Sequence, residues 1–423
     1  MTVTTAKDNE SSTAPEEVGT GKHLLVWPFP GYGHVNPVLP VVRELVRRGH
    51  RVTMPTTPRF AAEAEAAGAE VLPYVSALAG RPLPEVFDAD YLAREPLRAM
   101  LEAMATIPPV ESYFTGREVP DLLLYDSSTY AAGRVLAAKW QRRAIQLYPT
   151  FAANEKFQLG PLVGAEFAPE LDATHPAFSE FFAWMGELLA SHGLAELPME
   201  EFHAPCESSN IVFLPEVFQL ESGSFDDRHA FVGPCVEAAP AGERSWQPPA
   251  GDDPLVVVSL GSEKNRDAGF FTRCAAAFDG LPWRVVLTLG GGLDPADLGP
   301  LPANATAYRW LPHTEVLPHT TVLLSHAGMS SVMRAMHAGV RQVLVPGTPE
   351  EHFVARRAVE LGAGRLLDPA AADAESLRDA VLAVASDESV GESVQRLREA
   401  TRNAGGAARA ADVVEARLGA PAR

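Results

Sequence analysis

The feature that most constrains the fold of this chain is a strand–loop–helix pattern that begins near the N-terminus and then recurs. Residues 24–27 (LLVW) form a short apolar run that predicts a buried strand, and the Pro- and Gly-rich residues 28–33 predict a loop after it. Asn36 suits the N-cap and Pro37 the first position of a helix, whose apolar residues fall on one stripe until Gly49 ends it. The same pattern predicts strands at residues 52–54, 122–125 and 211–214, and a helix at 130–140. Alternating strands and helices of these lengths predict a parallel sheet.

A second series of the same kind begins at residue 255, after a segment rich in Pro, Gly and Ala. It predicts strands at residues 255–258, 285–289, 322–325 and 343–345, followed by the mostly helical residues 377–418. A chain of 423 residues suits two α/β domains better than one. We therefore predict an α/β protein with two Rossmann-like parallel-sheet domains facing across a cleft. The predicted segments are a disordered leader 1–20, a first domain 21–236, an interdomain linker 237–253, a second domain 254–400 and a C-terminal helix 401–423 that packs back on the first domain.

The charge balance and the cysteines argue against several classes of protein. The chain has 54 acidic and 35 basic residues, a net charge of −19, which disfavours binding to nucleic acid or to an anionic membrane surface. No apolar run is long enough to span a bilayer, and the first twenty residues lack the apolar segment of a signal peptide. Cys206, Cys235 and Cys274 are far apart and lack metal-ligand spacing, so free thiols in a reducing cytoplasm are expected rather than disulfides or a zinc site.

Two polar residues at predicted strand ends in the first domain could carry proton chemistry. His34 follows the glycines of the first strand–helix loop, and an imidazole there could take a proton from a hydroxyl group, since its usual pKa is near neutral. A surface histidine that caps a turn is the alternative. Asp126 follows the strand at 122–125 and could orient a histidine, although an N-cap or Asx-turn is the commoner use of such a residue. No G-x-S-x-G motif is present, so hydrolysis through a serine nucleophile has little support.

The second domain offers a candidate anion site. Residues 325–331 (SHAGMSS) follow a predicted strand and open a helix, where small residues expose backbone N–H groups and His326, Ser330 and Ser331 add donors. This suits a diphosphate, and a capped helix without a ligand is the alternative. Ser262 could offer a further phosphate contact. Trp310 could stack on a nucleobase or could be an ordinary core residue.

Together these segments resemble the macrolide glycosyltransferases of actinomycetes, within the larger family that includes the plant and animal UDP-sugar transferases. The similarity extends over about residues 22–418, and its most specific pieces are residues 33–37 (GHVNP), 258–262 (VSLGS), 310–312 (WLP) and 325–329 (SHAGM). It implies the GT-B fold, with a small-molecule acceptor in the first domain and a nucleotide-sugar donor in the second. It also implies an inverting direct displacement without a metal or a bound cofactor. A homodimer is considered for the assembly, and the sequence does not decide it.

The resemblance further implies individual roles. His34 would be the general base and Asp126 its partner, Trp310 would stack on the base, and His326 would stabilise the leaving phosphate charge. The implied donor-binding residues are Ser262, Trp310, His313, His326, Gly328, Met329, Ser330, Ser331, Glu350 and Glu351. The implied acceptor-binding residues are Tyr32, Phe151, Phe157 and Phe182.

Several positions depart from the family pattern. His313 stands where the family usually has Gln, and Arg334 aligns with a Glu that contacts the donor ribose. Because this change replaces a hydrogen-bond acceptor by a donor, a dTDP sugar without the ribose 2′-hydroxyl is expected as donor. Glu351 aligns with a Gln of the sugar-binding pair, and its extra charge suits a sugar that carries an amine. The sequence does not decide whether Arg334 and Glu351 form a direct ion pair.

We therefore predict transfer of a sugar, expected to be a deoxysugar, onto a hydroxyl group of an apolar natural product such as a macrolide or another polyketide. Two alternatives remain. The departures in the donor site would also suit a catalytically impaired helper that binds an aglycone. A nucleotide-dependent epimerase of related two-domain architecture would share the same bulk features.

Overall fold

The computed structural model describes residues 21–81, 84, 86–236, 246–249, 251–262 and 267–419. The predicted leader 1–20 and most of the predicted linker, residues 237–245 and 250, lie outside these ranges. The described chain forms two sheets in which all paired strands are parallel, one of seven strands and one of six. The prediction of two parallel-sheet α/β domains is confirmed.

The sheet of the first domain has the strand order β3-β2-β1-β4-β5-β6-β7. Its strands are β1 (His23–Trp27), β2 (Arg51–Thr56), β3 (Glu70–Pro73), β4 (Leu122–Asp126), β5 (Arg143–Tyr148), β6 (Asn210–Val212) and β7 (His229–Phe231). The order reverses between β1 and β4, where Trp27 pairs with Tyr125. The loops that follow these two strands therefore lie side by side, at the point where open α/β sheets bind their ligands.

Helices cover both faces of this sheet because successive strand residues alternate between two cores. Leu24 and Val26 pack with the first helix, whereas Leu25 and Trp27 pack on the opposite face. The helices of this domain are α1 (Tyr32–Arg47), α2 (Ala61–Ala66), α3 (Ala89–Phe114), α4 (Tyr130–Trp140), α5 (Leu159–Phe167), α6 (Pro176–Ser191) and α7 (Met199–Phe202).

The start of α1 differs from the prediction. The helix begins at Tyr32 with Gly31 as N-cap, not at Pro37 with Asn36 as N-cap. The amides of His34 and Val35 both donate to the Gly31 carbonyl, at 3.0 and 2.9 Å. Pro37 is tolerated inside the helix because its fixed φ is helical and it forfeits only one early hydrogen bond. His34 consequently lies in the first turn of a helix rather than in a loop.

The second domain repeats the arrangement with the strand order β10-β9-β8-β11-β12-β13. Its strands are β8 (Leu255–Ser259), β9 (Arg284–Thr288), β10 (Ala305–Tyr308), β11 (Val322–Ser325), β12 (Arg341–Leu344) and β13 (Gly364–Leu366), and its helices are α8 (Ala268–Ala276), α9 (His313–Val316), α10 (Met329–Ala338), α11 (Pro349–Glu360) and α12 (Ala374–Ser386). Here the order reverses between β8 and β11. Trp246, which the prediction assigns to the linker, is buried in the core of this domain with Leu255 and Leu311.

The C-terminal region consists of two helices, α13 (Glu388–Asn403) and α14 (Gly406–Gly419). Helix α14 returns to the first domain, where Ala410, Ala411 and Val414 enter the core beside α1. Arg48 at the end of α1 donates hydrogen bonds to Asp412 and Glu415, each at 2.7 Å. The break between α13 and α14 therefore falls a few residues after position 401, where the prediction placed the start of the returning helix.

The two domains share a hydrophobic cluster, which holds them in contact along one side of the cleft. Phe151, Phe157 and Phe218 of the first domain pack there with Met329 and Met333 of the second. A bidentate ion pair from Arg356 to Glu166, at 2.8 and 2.7 Å, adds a polar contact between the domains. Among the helices within the described ranges, none combines the length and apolar character that a membrane span requires.

Candidate functional site

The reversal of strand order at β1 and β4 brings His34 and Asp126 together. His34 is the third residue of α1, and its Nδ1 lies 2.8 Å from Oδ2 of Asp126. Asp126 is fully buried, and its Oδ1 accepts a hydrogen bond from the Ser128 amide at 2.8 Å. The carboxylate thus caps the turn after β4 and also contacts the imidazole, so both interpretations of Asp126 hold.

This contact fixes the chemistry of the imidazole. A carboxylate that accepts from Nδ1–H holds the tautomer whose Nε2 carries a lone pair. Within the part of the chain that the structure describes, no group hydrogen-bonds Nε2, and the His34 side chain is 28% exposed. Burial lowers the pKa of His34, but Asp126, and then Glu350 and Glu95, raise it above the usual value. The imidazole is therefore a strengthened base on a side chain that is partly exposed.

Glu350, from the second domain, approaches His34 across the cleft. It is the second residue of α11, and its Oε1 accepts a hydrogen bond from Thr150 of the first domain at 3.0 Å. The Glu350 side chain is exposed by surface area, but many protein atoms lie around its carboxylate. The resulting partial desolvation raises the pKa of Glu350. The sequence prediction missed Thr150, which follows the end of β5 and so shares the sheet edge of Asp126. It also missed Glu95 on α3, for which the local sequence holds no signal.

On the donor side, the imidazole of His326 packs tightly against two glycines. A Cβ at Gly261 would lie 2.6 Å from Cε1 of His326, and a Cβ at Gly328 would lie 2.9 Å from the same atom. Gly261 also has a φ of +77°, which favours glycine. Nδ1 of His326 is buried without a hydrogen-bond partner in the described ranges, and Nε2 lies 3.8 Å from Oε1 of Glu351. The small residues of this motif therefore make room for the histidine.

Helix α10 opens directly after this histidine, as predicted. Gly328 is its N-cap, and the Ser331 amide already donates to the Gly328 carbonyl at 2.9 Å. Ser331 is buried, whereas Ser330 lines a small cavity between the domains. Met329 is buried at the domain contact and also lines that cavity.

Glu351 is engaged in its own helix. Its Oε2 accepts hydrogen bonds from the amides of Gly347 and Thr348, each at 2.8 Å, in a capping box with Thr348. The ion pair between Glu351 and Arg334 that the sequence left open is not formed. The carboxylate that replaces the family Gln is thus committed largely to capping α11.

Two further basic side chains lie near His326. Burial, with the charges of Arg334 and His326, lowers the pKa of His313 to about 3, so His313 is neutral at physiological pH. Arg334 is partly buried, and no hydrogen bond or ion pair from a described residue reaches its guanidinium. Arg334 therefore lies close enough to His313 for its charge to help keep that imidazole neutral.

Trp310 lies at the cleft and not in a core. Its side chain is 49% exposed, and its ring centroid lies 5.0 Å from that of Tyr32 in the first domain. Tyr32 in turn contacts the edge of Phe60 and lies under the guanidinium of Arg59. Tyr32, predicted to contact the acceptor, is therefore in contact with the predicted base-stacking residue.

The predicted acceptor aromatics separate into two groups. Phe151 and Phe157 are each only 4% exposed and pack against Phe218 and Phe225 in the cluster between the domains. Both rings therefore belong to the contact between the domains, and their predicted role at the acceptor stays a prediction. Phe182 on α6 is 48% exposed and remains available to a ligand. Ser262 follows β8 directly, next to residues 263–266 that lie outside the described ranges.

Comparison with known proteins gives matches to both halves of the chain. Residues 275–415 match the family described as "Erythromycin biosynthesis protein CIII-like, C-terminal domain". The demethyllactenocin mycarosyltransferase of Streptomyces fradiae is 38% identical over 412 residues, which cover 94% of this chain and 86% of that protein. The oleandomycin glycosyltransferase of Streptomyces antibioticus is 32% identical, covering 96% of this chain and 92% of that protein.

A solved structure agrees with these matches. The crystal structure of a calicheamicin glycosyltransferase has a TM-score of 0.84 and 41% sequence identity, covering 95% of this chain and 100% of the other. None of these three proteins is described as an epimerase or as a helper protein.

Proposed function

This chain belongs to the macrolide and natural-product glycosyltransferases of the GT-B fold, and from that premise we propose its reaction, its donor and its acceptor. The reaction is an inverting, metal-independent displacement. The donor is a deoxysugar carried by dTDP, and the acceptor is a hydroxyl group of an apolar natural product such as a macrolide or another polyketide.

The observation that carries this proposal is the hydrogen bond between His34 and Asp126. Nε2 of His34 takes the proton of the acceptor hydroxyl as its oxygen attacks the anomeric carbon. The bond from that carbon to the diphosphate breaks, and the electron pair leaves with the nucleoside diphosphate. Asp126 stabilises the imidazolium that forms, as a carboxylate does in other histidine-based sites. Attack opposite the leaving group inverts the anomeric carbon.

The donor side supplies what the leaving group needs. The first amides of α10 and the imidazole of His326 can donate hydrogen bonds to the diphosphate, and the exposed Trp310 ring can stack on its base. Such preorganised donors can take up the developing negative charge, which supports a mechanism without a metal ion. A donor without a 2′-hydroxyl is supported by position 334, where Arg replaces the hydrogen-bond acceptor of the family pattern.

The proposal is tested by incubating the full chain with dTDP- and UDP-linked sugars and a panel of macrolide and polyketide aglycones. We expect a glycoside whose mass requires an intact acceptor, with dTDP sugars preferred. Anomeric coupling constants in the NMR spectrum of the product report inversion. A product with retained configuration, or a sugar altered equally with and without an aglycone, would contradict the proposed reaction.

A further inference from the structure

Arg334 lies in a small cavity between the two domains. It is the sixth residue of α10, and the cavity is also lined by Gly33 and Pro37 of α1 and by Ser330 and Met333 of α10. Its volume of about 20 Å³ admits one small group, such as a water molecule or a single oxygen of a ligand, and not a whole nucleotide. Gly33 immediately precedes His34, so the cavity adjoins the proposed general base.

The guanidinium has no counterion in the described ranges. Other arginines at comparable positions are paired, as Arg356 is with Glu166 between the domains and Arg48 is with Asp412 at the α14 contact. Its charge acts instead on His313, whose pKa it helps to lower. An unpaired charge that is partly removed from water is costly, so this position favours an anionic ligand.

The direction of the Arg334 side chain indicates where such an anion would bind. Ser330 and Arg334 are four residues apart, so they share one face of α10, and both line the cavity. Side chains on a helix tilt toward its N-terminus, and a long guanidinium therefore extends over the preceding turn. The guanidinium and the Ser330 hydroxyl therefore both border the cavity near the start of α10. The apolar walls, which include Met333 and Pro37, strengthen a charged hydrogen bond in this cavity.

We propose that Arg334 binds a phosphate oxygen of the donor diphosphate and thereby stabilises the charge of the leaving group. This inference rests on the proposed function, since it assumes that a nucleoside diphosphate enters the cleft. The planar guanidinium offers two parallel donors to phosphate, a geometry that lysine lacks. The residue thus supplies a fixed positive charge beside His313, which is neutral.

The experiment is calorimetry of the full chain with thymidine diphosphate and, separately, with thymidine. Arg334→Met should weaken binding of the diphosphate by about 10- to 100-fold, the range for one charge-assisted contact. It should leave thymidine binding within about twofold, because thymidine has no phosphate. Arg334→Lys should restore part of the affinity. Arg378→Met, on the exposed face of α12, removes the same charge and should change neither affinity.

The outcomes separate this inference from the proposed function. Unchanged binding of thymidine diphosphate by Arg334→Met would overturn the role of Arg334 while leaving the donor class intact. An equal loss for thymidine would also overturn it, because the residue would then serve the nucleoside. Failure of the unaltered protein to bind either thymidine or uridine diphosphate would reject the proposed donor itself. Thermal unfolding of each variant monitors folding, and Arg334→Gln repeats the test if the methionine variant is unstable.

Discussion

The acceptor side and the donor side of the cleft differ in how their polar groups are held. On the acceptor side, His34 and Asp126 already form a hydrogen bond of 2.8 Å, and Asp126 is secured by the Ser128 amide. On the donor side, Nδ1 of His326 and the guanidinium of Arg334 have no partner in the described ranges. The proposed base is thus held by hydrogen bonds within the protein, whereas, among the described residues, the groups proposed to bind the diphosphate lack such partners. Substitutions on the two sides should therefore change different measured quantities.

The largest expected effect is on turnover and comes from a substitution on the acceptor side alone. His34→Ala should lower kcat by about 10²- to 10⁴-fold, the scale of a general base, because it removes the proposed proton acceptor. Binding of thymidine diphosphate should be unchanged, since His34 is not among the groups proposed to hold the diphosphate. Turnover with a dTDP sugar and calorimetry measure the two quantities.

The control for this variant is His319→Ala, which removes an exposed histidine beside Trp246 and should preserve turnover. Turnover of His34→Ala equal to that of the unaltered protein would remove His34 from the mechanism.

A smaller effect should follow from disturbing the donor side alone. Gly328→Ala introduces a methyl group against the His326 ring, which Gly261 already confines, so the ring must move. Because the backbone of Gly328 has a φ of −59°, alanine is tolerated there and the fold should survive. We expect binding of thymidine diphosphate to weaken by about tenfold, the loss of one hydrogen bond to a charged group.

Gly186→Ala is the matched control, since a Cβ there meets no atom within 4 Å. Wild-type affinity in the Gly328→Ala protein would show that the position of His326 does not matter for the donor.

The charges around His34 should set the pH dependence of the acceptor side. The base must be neutral, so activity is lost as pH falls through the raised pKa of His34. The negative charge of Glu95 contributes to that elevation, and Glu95→Gln should therefore lower the pKa of His34. The acid limb of the kcat/KM profile should move down by a few tenths of a pH unit, a weak through-space effect. A shift of the acid limb to higher pH, or no shift, would show that the charge of Glu95 does not raise the pKa of His34.

The smallest expected effect concerns the donor side as a whole. If amides, His326 and Arg334 take up the charge of the diphosphate, then a divalent cation is dispensable. Dialysis against EDTA should leave turnover unchanged, and added Mg²⁺ should not raise it. Loss of activity on chelation, with recovery on adding Mg²⁺, would show that a metal shares this task.

The regular elements around the cleft could be predicted because they depend on neighbours in sequence. The apolar run at Val322–Ser325 predicts β11 with the limits that the structure has, and α1 ends at Arg47, two residues before the Gly49 that predicts its end. The start of α1 could not be placed in this way. Prolines inside a helix are rare, and the pattern gave no reason to begin the helix at Tyr32, five residues before Pro37.

Within the candidate site, sequence motifs indicated which residues gather but not which contacts they make. The separation of 92 residues between His34 and Asp126 conceals their hydrogen bond, which follows only from the adjacency of β1 and β4. Glu95 and Thr150 carry no motif at all. The family roles of Ser262, Trp310 and the serines of α10 stay predictions, since no ligand contact tests them.

By itself, the sequence determined the alternation of strands and helices, the presence of two parallel-sheet domains and the positions of the loops that carry polar residues. These properties follow from local periodicity and from the backbone preferences of Gly and Pro. Only the tertiary structure decided that Phe151 is buried between the domains, that Glu351 caps its own helix and that Arg334 faces a cavity without a counterion. Burial and pairing depend on segments distant in sequence that packing brings together, so no local pattern can specify them.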